Sequence, residues 1–441
     1  MINTLKFKLG YSIHRPKVLK YYNIFQKMNM FSSEEINEYQ NSKLKYMIQY
    51  CYDNIPYYQK LFKSLNLQPK DIQTKEDLNK LPILTKEILK QNIDDFYPKD
   101  EQKVKYMNAA SGGSTGHPLK YRVSHDSYNA GFALLYRGWG LAGYKLGDKV
   151  AIIAGGSLVK KEMSFLNKAK DCMYSLKHYA AYAMDEETLA TYVEDMIKWK
   201  PKFIRGYPST IYPLAKYIKK HNLEDKFKIT AIFTTSEMLF PFHRDYISKV
   251  FGCNVFNTYG LHDGGITAFE CQNQNGLHID IERSILECVD NNAQSIYEEE
   301  GKILATTLLD FSMPLLRYDS GDLGILTKEL CPCGCKRPLL KELRGRITDI
   351  LHLNGKTIGS PALVTVMGTT SVEQYQIVQK KGENKLLFRI QTNKIDDRDE
   401  AFIKESLFSQ VGDIEITFEY VNSFIYPNGE KHKLIILEEN D

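Results

Sequence analysis

From residue 148 onward, short runs rich in β-branched and aromatic residues alternate with helical stretches, and this alternation restricts the chain to a layered α/β fold. The runs are DKVAIIAGG (148–156), FIRGYP (203–208), KITAIFTTS (228–236) and NVFNTYG (254–260), with helical periods at 188–199 and 209–221 between them. Strands spaced in this way form a sheet covered by helices. SILECV (284–289) and GKILATTL (301–308) follow without a long intervening helix, so the later part of this unit is richer in strand. Past LRGRITDIL (343–351) the pattern changes again. VEQYQIVQ (372–379), KLLFRIQ (385–391), a helix near 398–410, IEITFEYV (414–421) and KLIIL (433–437) predict a small α+β unit. The expected organisation is a large α/β domain over 1–348 with a helical N-terminal segment, then a small mobile α+β domain over 349–441, hinged at Asp349.

The N-terminal segment reads as a long helical stretch over 32–65. Ser32 and Glu35 make a capping box, and Ile55-Pro56 bends or ends the first helix. A short helix opens at Thr74, and LPILTKE (81–87) leads into another. A chain of 441 residues has room for one large domain and a smaller one. Its net charge of +4 is small against 58 basic and 54 acidic residues, which argues against nucleic acid or an anionic membrane as the main partner. The opening residues have no apolar run of secretory length, and nowhere is there an uncharged stretch long enough to span a bilayer. The expectation is therefore a cytoplasmic protein, with a peripheral, basic N-terminal helix at a membrane as the alternative.

Three short motifs could carry chemistry. Ser111-Gly112-Gly113-Ser114-Thr115-Gly116 packs three glycines and three hydroxyls into six positions. Such a loop can close backbone N–H groups and hydroxyls around phosphate oxygens. It is not a Walker loop, because no Lys-Ser/Thr follows the last glycine; on composition alone it is equally an ordinary surface loop. Tyr259-Gly260-Leu261-His262-Asp263 ends a predicted strand and offers an aromatic ring for a base and a carboxylate for Mg²⁺. Pro314-Leu315-Leu316-Arg317-Tyr318-Asp319-Ser320-Gly321-Asp322 offers a carboxylate that can accept both ribose hydroxyls. Singly, the Tyr-Gly motif is more often a turn, and the last reads equally well as a solvated turn.

A fourth constellation is independent of these. Eight cysteines are too few for a disulfide scaffold at this length, yet Cys331, Cys333 and Cys335 fall within five residues. Cys271 and His278 add two soft ligands, and Cys271, His278, Cys331 and Cys333 together satisfy a closed tetrahedral zinc site, with Cys335 to spare. Four protein ligands leave no open position for water, so the site reads as structural. Buried cysteines without metal are the alternative.

The order and spacing of the first three motifs, followed by Gly345-Arg346-Ile347-Thr348-Asp349, resemble the adenylate-forming superfamily of acyl-CoA synthetases. The phrases YPST (207–210), TSEML (235–239), TTLLDFSMPLLRYDSGD (306–322) and LRGRITDIL (343–351) are similar to the phenylacetate-CoA ligase branch, particularly its CapK-like capsular polysaccharide members. The resemblance runs from about residue 50 to the C-terminus. It implies that Ser111, Gly112, Gly113, Ser114, Thr115 and Gly116 clamp the phosphates of ATP. Ser236 and Glu237 would lie along the adenine, with Tyr259 against its face. Asp322 would hold the ribose with Arg346 in support, and Asp349 would be the pivot of the small domain. Some members of that branch bind zinc through similar Cys and His residues.

Two positions depart from the branch. Its Tyr-Gly-x-Thr-Glu is here Tyr259-Gly260-Leu261-His262-Asp263, so Asp263 replaces the glutamate near Mg²⁺ with a shorter carboxylate. The lysine that meets the reacting carboxylate usually follows glycine directly. Here the run is Gly429-Glu430-Lys431-His432-Lys433, which makes Lys431 the candidate with Glu430 as an insertion, and Lys433 the fallback. The expected reaction is ATP-dependent activation of a small carboxylic acid as an acyl-adenylate, followed by transfer to an acceptor. A sugar amine or hydroxyl in surface polysaccharide synthesis is favoured over CoA, with ATP, Mg²⁺ and a structural Zn²⁺ as cofactors. An aryl- or acyl-CoA ligase and a homologue that binds nucleotide without turnover are the alternatives.

Overall fold

The computed structural model describes residues 2–110, 119–154, 171–180, 186–261, 263–346, 350–359, 374–391, 395–422 and 434–438, with Met184, Leu363, Val366, Met367, Thr370, Val372 and Phe424 between them. The chain opens with helices α1 (Ile2–His14) and α2 (Pro16–Lys27), ahead of the helical stretch predicted over 32–65. Pro16 sits at the first position of α2, where its missing N–H costs nothing. The two helices bury Phe7, Tyr11, Val18 and Phe25 in a core shared with Ala133, Tyr136 and Trp139, and the hydroxyls of Tyr11 and Tyr136 meet at 2.6 Å.

Helix α3 (Ser33–Asn54) starts on the predicted capping box: Glu35 N donates to Ser32 Oγ at 3.2 Å, and Ser32 N donates to Glu35 Oε2 at 2.8 Å. Ile55 ends it and Pro56 begins α4 (Pro56–Ser64). The helix expected at Thr74 is a 3₁₀ segment, Lys75–Lys80. Asp77 accepts from the backbone N–H groups of both Gln73 and Thr74, which fixes a single tight turn. Helix α5 (Lys86–Gln91) follows.

Strands β1 (Tyr106–Ala110) and β2 (Lys120–Ser124) pair as an antiparallel hairpin, and Ser124 then caps helix α6 (His125–Gly140). An 11-stranded sheet dominates the rest. Its parallel half comprises β3 (Val150–Ala154), β4 (Leu176–Ala180), β5 (Phe203–Gly206), β6 (Ala231–Thr235) and β7 (Asn254–Leu261), in the order β4-β3-β5-β6-β7. Helices Glu186–Trp199, Pro208–Lys220 and Pro241–Phe251 cover one face, burying Val193, Ile211, Leu214 and Ile247 against Ile153, Ile204 and Ile232. Close approach here demands glycine at 206, because a Cβ there would lie 2.5 Å from the carbonyl oxygen of Ile153.

Beyond β7 every pairing in this sheet is antiparallel. Strands β8 (Ile266–Glu270), β9 (Leu277–Ile279), β10 (Ser284–Val289), β11 (Glu300–Thr307), β12 (Tyr318–Thr327) and β13 (Leu339–Arg346) extend it in the order β8-β9-β13-β12-β11-β10. Hairpin β14 (Ile350–Leu353) with β15 (Lys356–Gly359) follows. A four-stranded sheet of β16 (Tyr375–Lys380), β17 (Lys385–Ile390), β18 (Glu415–Tyr420) and β19 (Ile435–Glu438) then packs with helix Asp397–Val411. Leu351, Leu353, Ile377, Phe388, Ile403, Leu407 and Ile435 form a hydrophobic core of their own, separate from the clusters of the large sheet. The whole is a mixed α/β protein with a large sheet and a smaller C-terminal unit.

Candidate active site and metal centre

A bulge in β12 builds the centre of the site. Lys302 of β11 faces Leu323, but Leu304 faces Asp319, so Ser320, Gly321 and Asp322 all oppose Ile303. Gly321 accommodates the irregularity with φ +75°, and its N–H donates to Asp319 Oδ1 at 2.8 Å. Ser320 Oγ donates to the Ile303 carbonyl at 2.7 Å and accepts from Asp322 N at 3.1 Å. The bulge aims Asp322 at β7, where the Tyr259 hydroxyl donates to its Oδ2 at 2.7 Å. Burial first, and then the charge of Asp322, push the Tyr259 hydroxyl well above its ordinary pKa, so it stays a donor. On its other side Asp322 pairs in the ladder with Arg346.

A second carboxylate sits just beyond β7. Asp263 Oδ2 accepts from the Tyr318 hydroxyl at 3.1 Å, and burial raises its carboxyl above the ordinary aspartate value despite that bond. A carboxylate held with so little solvation gains most from a nearby cation, and Lys86 is the cation that lowers its pKa. Tyr121 of β2 feels the negative charge of Asp263, which brings the hairpin that carries residues 111–118 to this side of the sheet.

The TSE run lies at the end of β6. Ser236 is exposed and adopts φ +68°, a strained conformation for a residue other than glycine. Glu237 accepts from Ser209 N at 3.1 Å and from Ser209 Oγ at 2.9 Å. It therefore places negative charge at the N-terminus of helix Pro208–Lys220, where the helix dipole favours it. The YPST phrase is thus tied to the TSEML phrase by a carboxylate. Arg317, whose role was not read from the sequence, lies fully buried at φ +49°. It donates to the carbonyls of Leu81 and Ala293 at 2.8 Å each and pairs with Glu287 at 3.2 Å, locking the start of β12 to the N-terminal segment.

Of the remaining predicted residues, Ser111, Gly112, Gly113, Ser114, Thr115 and Gly116 lie outside the described residues, as do His262, Asp349, Glu430, Lys431 and Lys433; of Arg346 only the backbone is described. Strands β1 and β2, on either side of the glycine-rich run in the sequence, pair up to Ala110 and Lys120.

The four predicted soft ligands come together. The potential ligand atoms of Cys271, His278, Cys331 and Cys333 all lie within 4.8 Å of one another. The Sγ atoms of Cys271 and Cys331 are 3.6 Å apart, and Cys333 Sγ is 3.4 Å from His278 Nε2. A tetrahedron with Zn–S bonds of about 2.3 Å has edges of about 3.8 Å, so these separations suit that ion. Cys335 donates its backbone N–H to Cys333 Sγ at 3.5 Å, as a partner of the sulfur. Burial pushes the Cys271 thiol up to about 12, and burial with the neighbouring Arg337 pulls His278 down to about 4. The imidazole is therefore neutral, as ligation requires, and the thiol needs a cation to ionise.

A buried ion network, also missed in the sequence, adjoins this cluster. Glu282 is shared by Arg137 of α6 and by Arg337, which donates to it at 2.9 and 3.1 Å, while Asp280 accepts from Arg137 and, at 2.6 Å, from Thr267. Arg137 also donates to the Phe25 carbonyl at 3.3 Å, so the network joins the segment that carries the Cys/His cluster to α6 and α2. Arg137 and Arg337 together hold the Glu282 carboxyl below the ordinary glutamate value in spite of its burial.

The chain is 27% identical over 412 residues to Protein CapK of Staphylococcus aureus, covering 91% of this chain and 89% of CapK. Phenylacetate-coenzyme A ligases of Thermus thermophilus and Pseudomonas putida are 25% and 24% identical, over 79% and 75% of this chain and the same shares of theirs. No family model matches. Among solved structures, 2-hydroxyisobutyryl-CoA ligase in the postadenylation state superposes with a TM-score of 0.76 at 20% identity, covering 93% of this chain and 91% of that one. Anthranilate CoA ligase AuaEII, in complex with anthranoyl-AMP, gives 0.52 at 13% identity, over 74% of this chain and 65% of that one. The fold is that of the adenylate-forming ligases. The relatives named phenylacetate-coenzyme A ligase and the two structural neighbours are CoA ligases, and the chain is an adenylate-forming enzyme similar in sequence to CapK and to the phenylacetate-coenzyme A ligases.

Proposed function

We propose that the protein activates a carboxylic acid with ATP, forming an acyl-adenylate and pyrophosphate, and then transfers the acyl group to an acceptor. The observation that carries this reading is the Tyr259–Asp322 hydrogen bond beside the buried Asp263, because it presents an aromatic ring and two carboxylates to one end of the sheet. Asp322 accepts the ribose hydroxyls, with Tyr259 fixing the orientation of its carboxylate. Ser236 and Glu237 border the adenine, and the 111–116 run supplies hydroxyls and N–H groups to the phosphates. Asp263 would hold Mg²⁺, which when bound neutralises phosphate charge. Lys431 lies against the acid carboxylate and the α-phosphate, offsetting charge as the two anions meet. The small domain over 349–441 turns about Asp349 after adenylation, withdrawing Lys431 and admitting the acceptor.

Cys271, His278, Cys331 and Cys333 would hold a structural zinc ion, and their mutual distances support this reading. The relative named CapK supports a role in capsular or surface polysaccharide synthesis with a sugar amine or hydroxyl as acceptor. A second reading, transfer to CoA, is favoured by the relatives named phenylacetate-coenzyme A ligase and by a fold neighbour solved with both an acyl-adenylate and CoA. ATP–pyrophosphate exchange across a panel of carboxylic acids tests the adenylation reading. Acid-dependent exchange is the expected result, and its absence for every acid with ATP still bound would reassign the protein as a nucleotide-binding homologue without turnover. Once an acid is found, thioester formation with CoA measured against amide or ester formation on amino sugars separates the two acceptors.

A further inference from the structure

Helix α1 has two apolar faces and only one of them is covered. Phe7 and Tyr11 are buried against α6, while Leu5, Leu9 and Ile13 are 71%, 56% and 64% exposed. These three residues are spaced four apart, so they form a single stripe along the helix. Exposed lysines, Lys6 and Lys8, flank the stripe. On the helix that follows, Ile24 is 43% exposed, and Lys20 and Lys27 lie one turn to either side of it; beyond the helix Met30 is 87% exposed. Soluble helices normally turn polar side chains outward, so this arrangement needs a partner.

Charge identifies the partner. The first 33 residues contain six lysines and arginines and not one aspartate or glutamate, although the chain as a whole is nearly balanced. Lys17 pairs with Asp126 and Arg15 stacks on Tyr128 and Phe132, which leaves Lys6, Lys8, Lys20 and Lys27 to face a partner. A stripe of this sign repels a second copy of itself and attracts an anionic surface. Apolar side chains flanked by lysines on a helix lying flat are the features that seat a helix at the boundary between headgroups and acyl chains. We infer that α1 and α2 form a docking surface for anionic lipid bilayers, onto which the enzyme binds peripherally. No helix among the described residues is long and apolar enough to cross a membrane, and this surface requires none. Docking would bring acyl transfer to a bilayer, where an acceptor carried on a lipid would be within reach.

Flotation of the full chain with vesicles decides the matter. Vesicles of phosphatidylcholine with about one-third phosphatidylglycerol should carry the protein upward at low salt. Pure phosphatidylcholine should not, and added salt should weaken the binding. Lys6→Glu with Lys8→Glu should lower partitioning by about tenfold or more, and Leu5→Gln with Leu9→Gln and Ile13→Gln should abolish it. Because all five side chains are exposed, both variants should melt with the parent protein, and neither set touches the residues assigned to adenylation, so ATP–pyrophosphate exchange should persist. No flotation of the parent protein on anionic vesicles would overturn the proposal. So would a concentration-dependent dimer that the triple glutamine variant dissolves, since a second copy would then be the occupant.

Discussion

The carboxylate site and the Cys/His cluster occupy opposite ends of the same strands. Strand β8 starts beside Asp263 and ends at Cys271; β12 starts where Tyr318 meets Asp263 and leads out to Cys331. At one end, in the function proposed above, hydrogen-bonded carboxylates would meet a ligand that comes and goes. At the other, four soft ligands and the Arg137–Glu282–Arg337 network bind β8, β9 and β13 to the helical layer. On that proposal one end would serve turnover and the other retention of a metal, so changes at the two ends should be felt in different measurements.

The largest separation should come from the phosphate loop. Ser114→Ala with Thr115→Ala removes bonds to a charged ligand worth about 1.5–3 kcal/mol each. The double variant should lose most ATP-dependent exchange while melting as the parent does. Normal ATP kinetics in this variant would remove the loop from the site. Next comes Lys431→Ala, expected to slow adenylation on the order of 10²–10³-fold while sparing transfer from a supplied acyl-adenylate. Lys433→Ala is its control and should be mild. The reverse order of effects would move the catalytic lysine to 433.

The metal end should respond the other way. Protein prepared with zinc present should carry about one ion per chain, and Cys331→Ser should weaken metal binding by well over the ~10–100-fold that changes around a ligand produce. Thermal stability should fall with it, while the KM for ATP of the protein that remains folded should change little. A metal-free parent protein would leave the cluster as buried thiols. A raised KM with unchanged stability would show that the two ends are coupled through β8 and β12, contrary to the division drawn above.

The two ends also differ in how openly the sequence displays them. Cysteine and histidine are scarce, so Cys271, His278 and the closely spaced Cys331 and Cys333 stand out by chemistry alone, and they converge as expected. Tyr259 and Asp322 are common residues in turn-like surroundings, distinguished only by the order of the motifs around them, and the bulge that joins them is a property of strand pairing. Strands β3, β5, β6, β7, β10 and β11 and the small unit after 350 were legible because β-rich runs and helical runs alternate there, whereas β4, β8 and β9 were not read. Helix α1 was legible only as the basic N-terminal helix offered as an alternative, because its apolar residues lie on two faces, Phe7 and Tyr11 on one and Leu5, Leu9 and Ile13 on the other. Arg137, Glu282 and Arg337 escaped notice because 200 residues separate the two arginines, and only the folded chain brings those charges together.

The smallest effect probes the contact that defines the carboxylate end. Tyr259→Phe keeps the ring and deletes the hydroxyl that donates to Asp322 at 2.7 Å. Asp322 would keep its charge and its bulged backbone, held by Ser320, so its carboxylate would still be present for a ribose, though less firmly oriented. A single hydrogen bond of this kind contributes about 1 kcal/mol, which corresponds to roughly a fivefold rise in KM for ATP. The rate at saturating ATP should hold, because the bond orients a group that binds substrate equally before and during reaction. Asp322→Asn should exceed it, since the amide offers one acceptor where the carboxylate offers two. If Tyr259→Phe instead lowers the saturated rate with KM unchanged, the hydroxyl acts in the transition state and Asp322 is more than a ribose anchor. If neither variant alters ATP kinetics, the nucleotide lies elsewhere on the sheet, and the bulge in β12 serves the fold alone.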